Sequence, residues 1–360
     1  MILVMKNRFY LALCAMVALA GCVKNDPADQ DNLAPIAFES PLLYSSVDNK
    51  AGVAGEIGTT YPVDEKFVIF AAEHEGTFTS WSSATPCEFN GSVVSYDNTI
   101  NAWAPKTANG GYFYWPDAKY ISFAAVSPAD LELPETVAAE YGNGGVTIEN
   151  FEVQSNPAKQ YDLLYSQISV NNTHSNMIKG SNSTYDGIPI LFKHALSAVR
   201  FSLKKDASVT EQVVLTKLEL KSVASKGTFE EKASYPAASD PTWSIDFTNV
   251  ANYQAFSGSK EFAVDAALVG STLLLLPQEL KDALVLSVSY TVGDVAKNTN
   301  ITLNEHPKGV VGVLPIGSWE IGNRYTYCLT YGKTSHMQDM IFFSPSVEGW
   351  VDTDVIEVVL

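Results

Sequence analysis

The chain has 360 residues, 46% of them hydrophobic and 18% charged, with 23 Lys and Arg against 40 Asp and Glu and a formal net charge of −17. That composition supplies apolar material for real cores and excludes a disordered chain. The acidic balance excludes a nucleic-acid partner, because backbone binding requires clustered Lys and Arg.

The first residues point to a compartment. Lys6 and Arg8 precede an apolar run from Phe9 to Ala20, which is too short to span a bilayer. It ends in Leu19-Ala20-Gly21-Cys22, which resembles a bacterial lipobox. Residues 1–21 are therefore expected to be a lipoprotein signal peptide, with the mature chain anchored in the outer membrane through palmitate-type acyl chains on Cys22. Each buried methylene of such an anchor contributes about 0.8 kcal/mol. Without Lys6 and Arg8 the mature chain keeps 21 basic and 40 acidic residues, a net charge of −19, and only Arg200 and Arg324 as arginines. Residues 22–34 are polar and acidic and read as a tether.

Ordered sequence begins near Pro35. Ile36, Phe38, Leu42 and Tyr44 alternate as in a first strand, and Ser45 to Thr60 is a small-residue loop containing Lys50. Phe67 to Ala72 is apolar at every position, too apolar for a half-solvated strand. Tyr112 to Trp115 and Tyr120 to Phe123 flank a Pro116-Asp117 turn. Glu135 to Tyr141, with Pro134 before it, is the one stretch that reads as a short helix. Asn171 to Gly187 is rich in Asn, Ser, Thr and Gly, and marks the expected boundary between domains 35–187 and 188–360, each of roughly 150 residues. Beyond it come candidate strands at Leu215-Leu218-Leu220, Leu273 to Leu276, Leu284 to Tyr290 and Tyr325 to Leu329, and a last one at Val355 to Leu360. Many short strands with Gly, Asn, Asp and Pro between them indicate an all-β architecture of sandwiches or barrels with little helix.

No chemistry-bearing motif emerges. There is no Gly-x-Ser-x-Gly, and His74, His174, His194, His306 and His336 form no pair at ligand spacing. Cys87 and Cys328 lie far apart and read as free thiols. His194 reads as a core-edge histidine with a local hydrogen bond. Glu73 with Glu75 and Asp352 with Asp354 could act as acid pairs only opposite a sugar cleft, and an acidic chain produces such pairs on solvated faces. The expectation is no enzyme, no cofactor and no metal. Trp81, Trp103, Tyr112, Tyr114 and Trp115 leave one alternative open: an exposed aromatic platform would make the chain a surface glycan-binding lipoprotein.

Several segments in order carry a resemblance: Tyr114-Trp115-Pro116-Asp117-Ala118-Lys119-Tyr120-Ile121-Ser122-Phe123, Tyr161-Asp162-Leu163-Leu164-Tyr165-Ser166, Ile190-Leu191-Phe192-Lys193-His194-Ala195-Leu196, Leu275-Leu276-Pro277-Gln278, Trp319-Glu320-Ile321-Gly322-Asn323-Arg324-Tyr325 and Val347-Glu348-Gly349-Trp350. Together they resemble the fimbrillins of Bacteroidales type V pili. The resemblance implies two transthyretin-like Greek-key β-sandwiches in tandem and export as a lipoprotein. It also implies clipping by a surface protease after a basic residue and assembly with other fimbrial subunits by β-strand addition. Carried onto this sequence, Lys50 is the candidate processing site. Ile36, Phe38, Leu42 and Tyr44 are the candidate displaced strand. Val355, Ile356, Val358, Val359 and Leu360 are the candidate donor strand. Family stalk subunits commonly carry Arg at the clipping site, whereas no Arg lies between Arg8 and Arg200. A lipid-anchored base subunit or a tip subunit is therefore the alternative within the family.

Overall fold

The computed structural model describes residues 35–43, 61–78, 84–115, 119–129, 137–138, 145–166, 169–172, 178–179, 184–185, 187–188, 190–232, 240–304, 316–334 and 337–349. Strands dominate these residues, and the only helical element among them is a 3₁₀ turn at Pro157–Lys159.

The first sheet runs β1 (Leu42–Leu43), β13 (Leu191–His194), β9 (Leu164–Ser166), β6 (Tyr120–Ser127), β2 (Phe67–His74), β4 (Ser92–Asp97) and β5 (Ala102–Pro105), with β10 (Ser169–Asn172) on β6 and β3 (Thr85–Pro86) on β2. The second runs β19 (Val295–Thr302), β18 (Val285–Val292), β15 (Val213–Lys232), β8 (Gly145–Glu152) and β7 (Val137–Ala138), with β16 (Thr242–Glu261) along β15. The third is β17 (Ala267–Leu275), β14 (Ser197–Lys205), β20 (Asn323–Thr334) and β21 (Met337–Gly349). β11 (Ile178–Lys179) and β12 (Thr184–Tyr185) pair with each other inside the Asn171 to Gly187 stretch. Named strand pairs are antiparallel except β1 with β13 and β14 with β20.

At its centre, β2 and β6, the first sheet buries both faces, which explains the unbroken apolar run of β2. Phe67, Ile69 and Ala71 of β2, with Ile121, Phe123 and Ala125 of β6, face one core. Phe70, Ala72, Ala124 and Val126 face a second core that is continuous with the other sheets. Successive residues point to opposite faces, so a strand between two cores is apolar at consecutive positions, as Phe67 to Ala72 is.

The second and third sheets pack face to face. Leu215, Leu218 and Leu220 of β15 and Leu286, Val288 and Tyr290 of β18 meet Val199, Phe201 and Leu203 of β14 and Tyr325, Tyr327 and Tyr331 of β20. The Tyr290 and Tyr331 rings touch edge to face at 6.0 Å across the layers. Leu215 and Leu218 share a face despite odd spacing because the register of β15 shifts between Leu215 and Lys217, as a bulge does.

Two features depart from the sequence reading. Val137–Ala138, inside the expected helix, is a strand whose residues pair with Ile148 and Thr147 of β8. A helix of two turns is poorly nucleated on its own, and a waiting sheet edge wins. Each half of the chain also lends a strand to the other's sheet: β8 pairs with β15, and β13 pairs with β9.

Glu231, on β15 opposite Val146 of β8, is buried, and its Oε2 lacks a hydrogen-bond partner among the described residues. Burial pushes its carboxyl up from 4.5 to about 8, opposed by the Lys193 ammonium. The folded protein therefore holds a proton that the unfolded chain releases. Stability should be full below about pH 4.5 and fall as pH rises through about 8. Glu231→Gln should flatten that fall, a difference of a few kcal/mol at alkaline pH. Denaturant unfolding of both proteins across that range is the check. Parallel pH profiles would remove Glu231 as the cause.

Candidate functional site

The residues from Pro35 to Leu43 occupy a slot between the two ends of the first sheet. On one side the main chain runs antiparallel to β5 and the segment after it. The Ile36 N–H donates to Phe113 O at 2.7 Å, the Phe38 N–H donates to Trp103 O at 2.7 Å, and the Trp103 N–H donates back to Phe38 O at 3.2 Å. On the other side it runs parallel to the segment leading into β13. There the Glu39 N–H donates to Ile188 O at 3.1 Å and the Ile188 N–H to Ala37 O at 2.9 Å. Leu42 and Leu43 continue this pairing opposite Leu191 and Phe192. Without the segment, both ends of the sheet would present unpaired N–H and C=O groups, the edge that invites another strand.

Inward, Ile36 and Phe38 are completely buried. Phe38 meets Phe67 of β2 and Phe123 of β6 edge to face at 5.9 and 5.5 Å. Tyr61 lies in the same core, stacked on Phe192 at 5.3 Å and edge-on to Trp103 at 5.2 Å, and its hydroxyl meets Ser127 Oγ at 2.7 Å. Burial drives the Tyr61 phenol well above its ordinary range. Tyr61 thus joins the two borders of the slot from within.

The alternation of Ile36 and Phe38 on one inward face is as expected, and the main chain of Leu42 lies in the slot. Tyr44, Cys22, Lys50 and the Val355 to Leu360 segment lie outside the described residues. Sequence reasoning missed Tyr61, and it missed Gly187, whose backbone φ of +96° hides behind an Asp-Gly dipeptide that reads as ordinary turn punctuation.

Among the described residues the titratable side chains assemble no reaction centre. His74 Nε2 is 2.9 Å from Ser122 Oγ, but Ser122 is fully buried, and the other ring nitrogen faces Gly76 O. Desolvation lowers the His74 pKa. Glu73 is buried and pairs with Lys119 at 2.7 Å instead of facing a cleft with Glu75. The described residues hold no group of three His, Cys, Asp or Glu able to bind a metal. Cys87 and Cys328 are not joined in a disulfide; Cys87 is buried and Cys328 half-buried.

His194 is a core residue rather than an edge one. Its Nδ1 meets Asp162 Oδ1 at 2.9 Å with both side chains fully buried. This bond joins β13 to the loop before β9, so two segments that carry the family resemblance meet here. Other such segments are also polar nodes. Gln278 accepts from Ala224 N–H at 3.0 Å and donates to Ala224 O at 3.1 Å. Trp319 Nε1–H donates to Tyr327 Oη at 3.0 Å, and the Glu320 N–H donates to Tyr325 Oη at 2.8 Å.

The aromatic platform of a glycan binder does not form from the described candidates. Trp103 and Trp115 belong to the core. Tyr112 and Tyr114 are half-buried, and the Tyr112 ring lies under Lys106 Nζ at 3.4 Å with its hydroxyl donating to Asp97. Trp81 lies outside the described residues. The Lys106 ammonium and then the Tyr112 hydroxyl hold the Asp97 carboxyl far below the usual range.

No helix among the described residues is long and apolar enough to cross a membrane. Among curated proteins none matches this sequence. Solved structures share its fold. A fimbrial protein from Bacteroides vulgatus is 18% identical with a TM-score of 0.57, over 88% of this chain and 99% of that one. A candidate cell adhesion protein from Bacteroides ovatus is 13% identical with a TM-score of 0.52, over 89% and 99%. Another, from Bacteroides uniformis, is 16% identical with a TM-score of 0.50, over 88% and 99%. The family profile described as fimbrillin-like matches residues 58–350, most of the chain, including every polar node above. The chain belongs to the fimbrillin-like family.

Proposed function

We propose that this protein is a structural subunit of a cell-surface fimbria, exported as a lipoprotein through Cys22 and assembled by strand exchange. In this reading a surface protease cuts after Lys50, and the segment carrying Ile36, Phe38, Leu42 and Tyr44 leaves its slot. A strand from a neighbouring subunit then enters; Val355, Ile356, Val358, Val359 and Leu360 form the candidate donor. The two domains are taken as 35–187 and 188–360, with β8 and β13 crossing between them. The observation that carries the reading is the double-sided seating of residues 35–43: one short segment satisfies two sheet ends and plugs a core with Ile36 and Phe38. A replacement strand restores both the ladder bonds and the apolar plug in one step.

Family membership supports a fimbrial role at the cell surface and a non-catalytic one. An uncut chain would keep its own strand and its lipid, and would serve as the anchor at the fimbrial base. The absence of Arg between Arg8 and Arg200 favours this as the second reading. Limited trypsin treatment of the lipid-free precursor separates the two. A stalk subunit should be trimmed between Tyr44 and Thr60 and then form ladders of detergent-resistant oligomers. Lys50→Ala or deletion of Val355 to Leu360 should abolish the ladder. A trimmed chain that stays monomeric under all conditions would count against the stalk role.

A further inference from the structure

Gly187 is where the slot meets the main chain of its occupant most closely. A Cβ at this position would lie 2.7 Å from Glu39 N, 2.8 Å from the Phe38 carbonyl carbon and 3.2 Å from Ala37 O. All three are backbone atoms, so no side-chain rotation relieves the clash. Gly187 also holds φ at +96°, where a side chain is strained in its own right. The two hydrogen bonds of this border, Glu39 N–H to Ile188 O and Ile188 N–H to Ala37 O, flank the contact and depend on that close approach. Ala37, between the two inward anchors, is itself only 2% exposed, so this stretch of the occupant is enclosed along its length.

We propose that Gly187 is the positioning residue of the slot. It admits only a strand whose backbone presses against its Cα, with apolar side chains where Ile36 and Phe38 now sit. The occupant selected in this way is an extended segment of another subunit with that pattern, read through its main chain on the Gly187 side and through its side chains on the core side. This rests on the strand-exchange reading and adds the residue that sets its geometry.

The test uses the full mature chain with a sequence-specific protease site replacing residues 49–52, nicked and then incubated with a fluorescent synthetic peptide of residues 35–43. The wild type should take up the peptide and raise its anisotropy. Gly187→Ala should weaken uptake about tenfold or more. Methylating the peptide nitrogen at the Glu39 position should weaken wild-type uptake by a similar factor, yet cost little further in Gly187→Ala, because both changes remove the same border. Thermal unfolding checks that the variant retains its cores; if it does not fold, the methylated peptide on the wild type carries the test alone. Equal uptake by Gly187→Ala and wild type, or indifference of the wild type to methylation, overturns the role of Gly187 and leaves strand exchange standing. A nicked wild type that takes up no peptide overturns strand exchange itself, and Gly187 with it.

Discussion

Phe38→Ala is expected to cost about 3–5 kcal/mol, the usual penalty for emptying a fully buried aromatic site. Phe38 has no exposed surface and two edge-to-face partners, Phe67 and Phe123, on different strands. Little around it can collapse, since Phe67 is also packed against Trp103 and Phe192. The loss should be concentrated in the first segment. In the uncut precursor, residues 35–43 should become protease-sensitive while β15, β18, β14 and β20 remain protected, because their core shares no residue with the Phe38 cluster. A uniform loss of protection over the whole chain would show that the segment is an integral part of one cooperative unit. It would then be a poor candidate for release.

Asp162→Ala should be nearly as damaging, by about 3 kcal/mol, since it leaves a buried imidazole without its carboxylate. Asp162 and His194 are both sealed from solvent, and their bond ties the loop before β9 to β13, the strand that borders the slot. Replacing both residues by leucine should recover much of the loss, because removing a buried polar pair together is far less costly than orphaning one member. Denaturant midpoints for Asp162→Ala and the double variant provide the comparison. If the double variant is no better than the single, the pair acts through shape and not through its hydrogen bond.

What the sequence made legible follows its local periodicity. Leu284, Leu286, Val288 and Tyr290 alternate strictly and are all buried, and Cys87 and Cys328, far apart along the chain, are not joined in a disulfide. The all-apolar run of β2 announced a strand covered on both sides, though not that the two sides belong to different cores. The helix expected at Glu135 to Tyr141 gives way to a strand at Val137–Ala138, whose pairing partner lies on β8, beyond any local window. Closure of the slot was illegible for the same reason. Phe38 pairs with Trp103 and with Ile188, contacts distant along the chain that no periodicity encodes. The partner of His194 was equally hidden, because Asp162 belongs to a segment with its own apolar pattern.

Two backbone amides report most directly on the central idea that the slot changes occupant. The N–H groups of Trp103 and Ile188 both point into the slot and bond to Phe38 O and Ala37 O. Hydrogen exchange at these amides should be slow in the uncut precursor, fast in the cut monomer freed of its first segment, and slow again once oligomers form. Amides that stay slow after the segment is gone, or fast within the oligomer, would contradict the account.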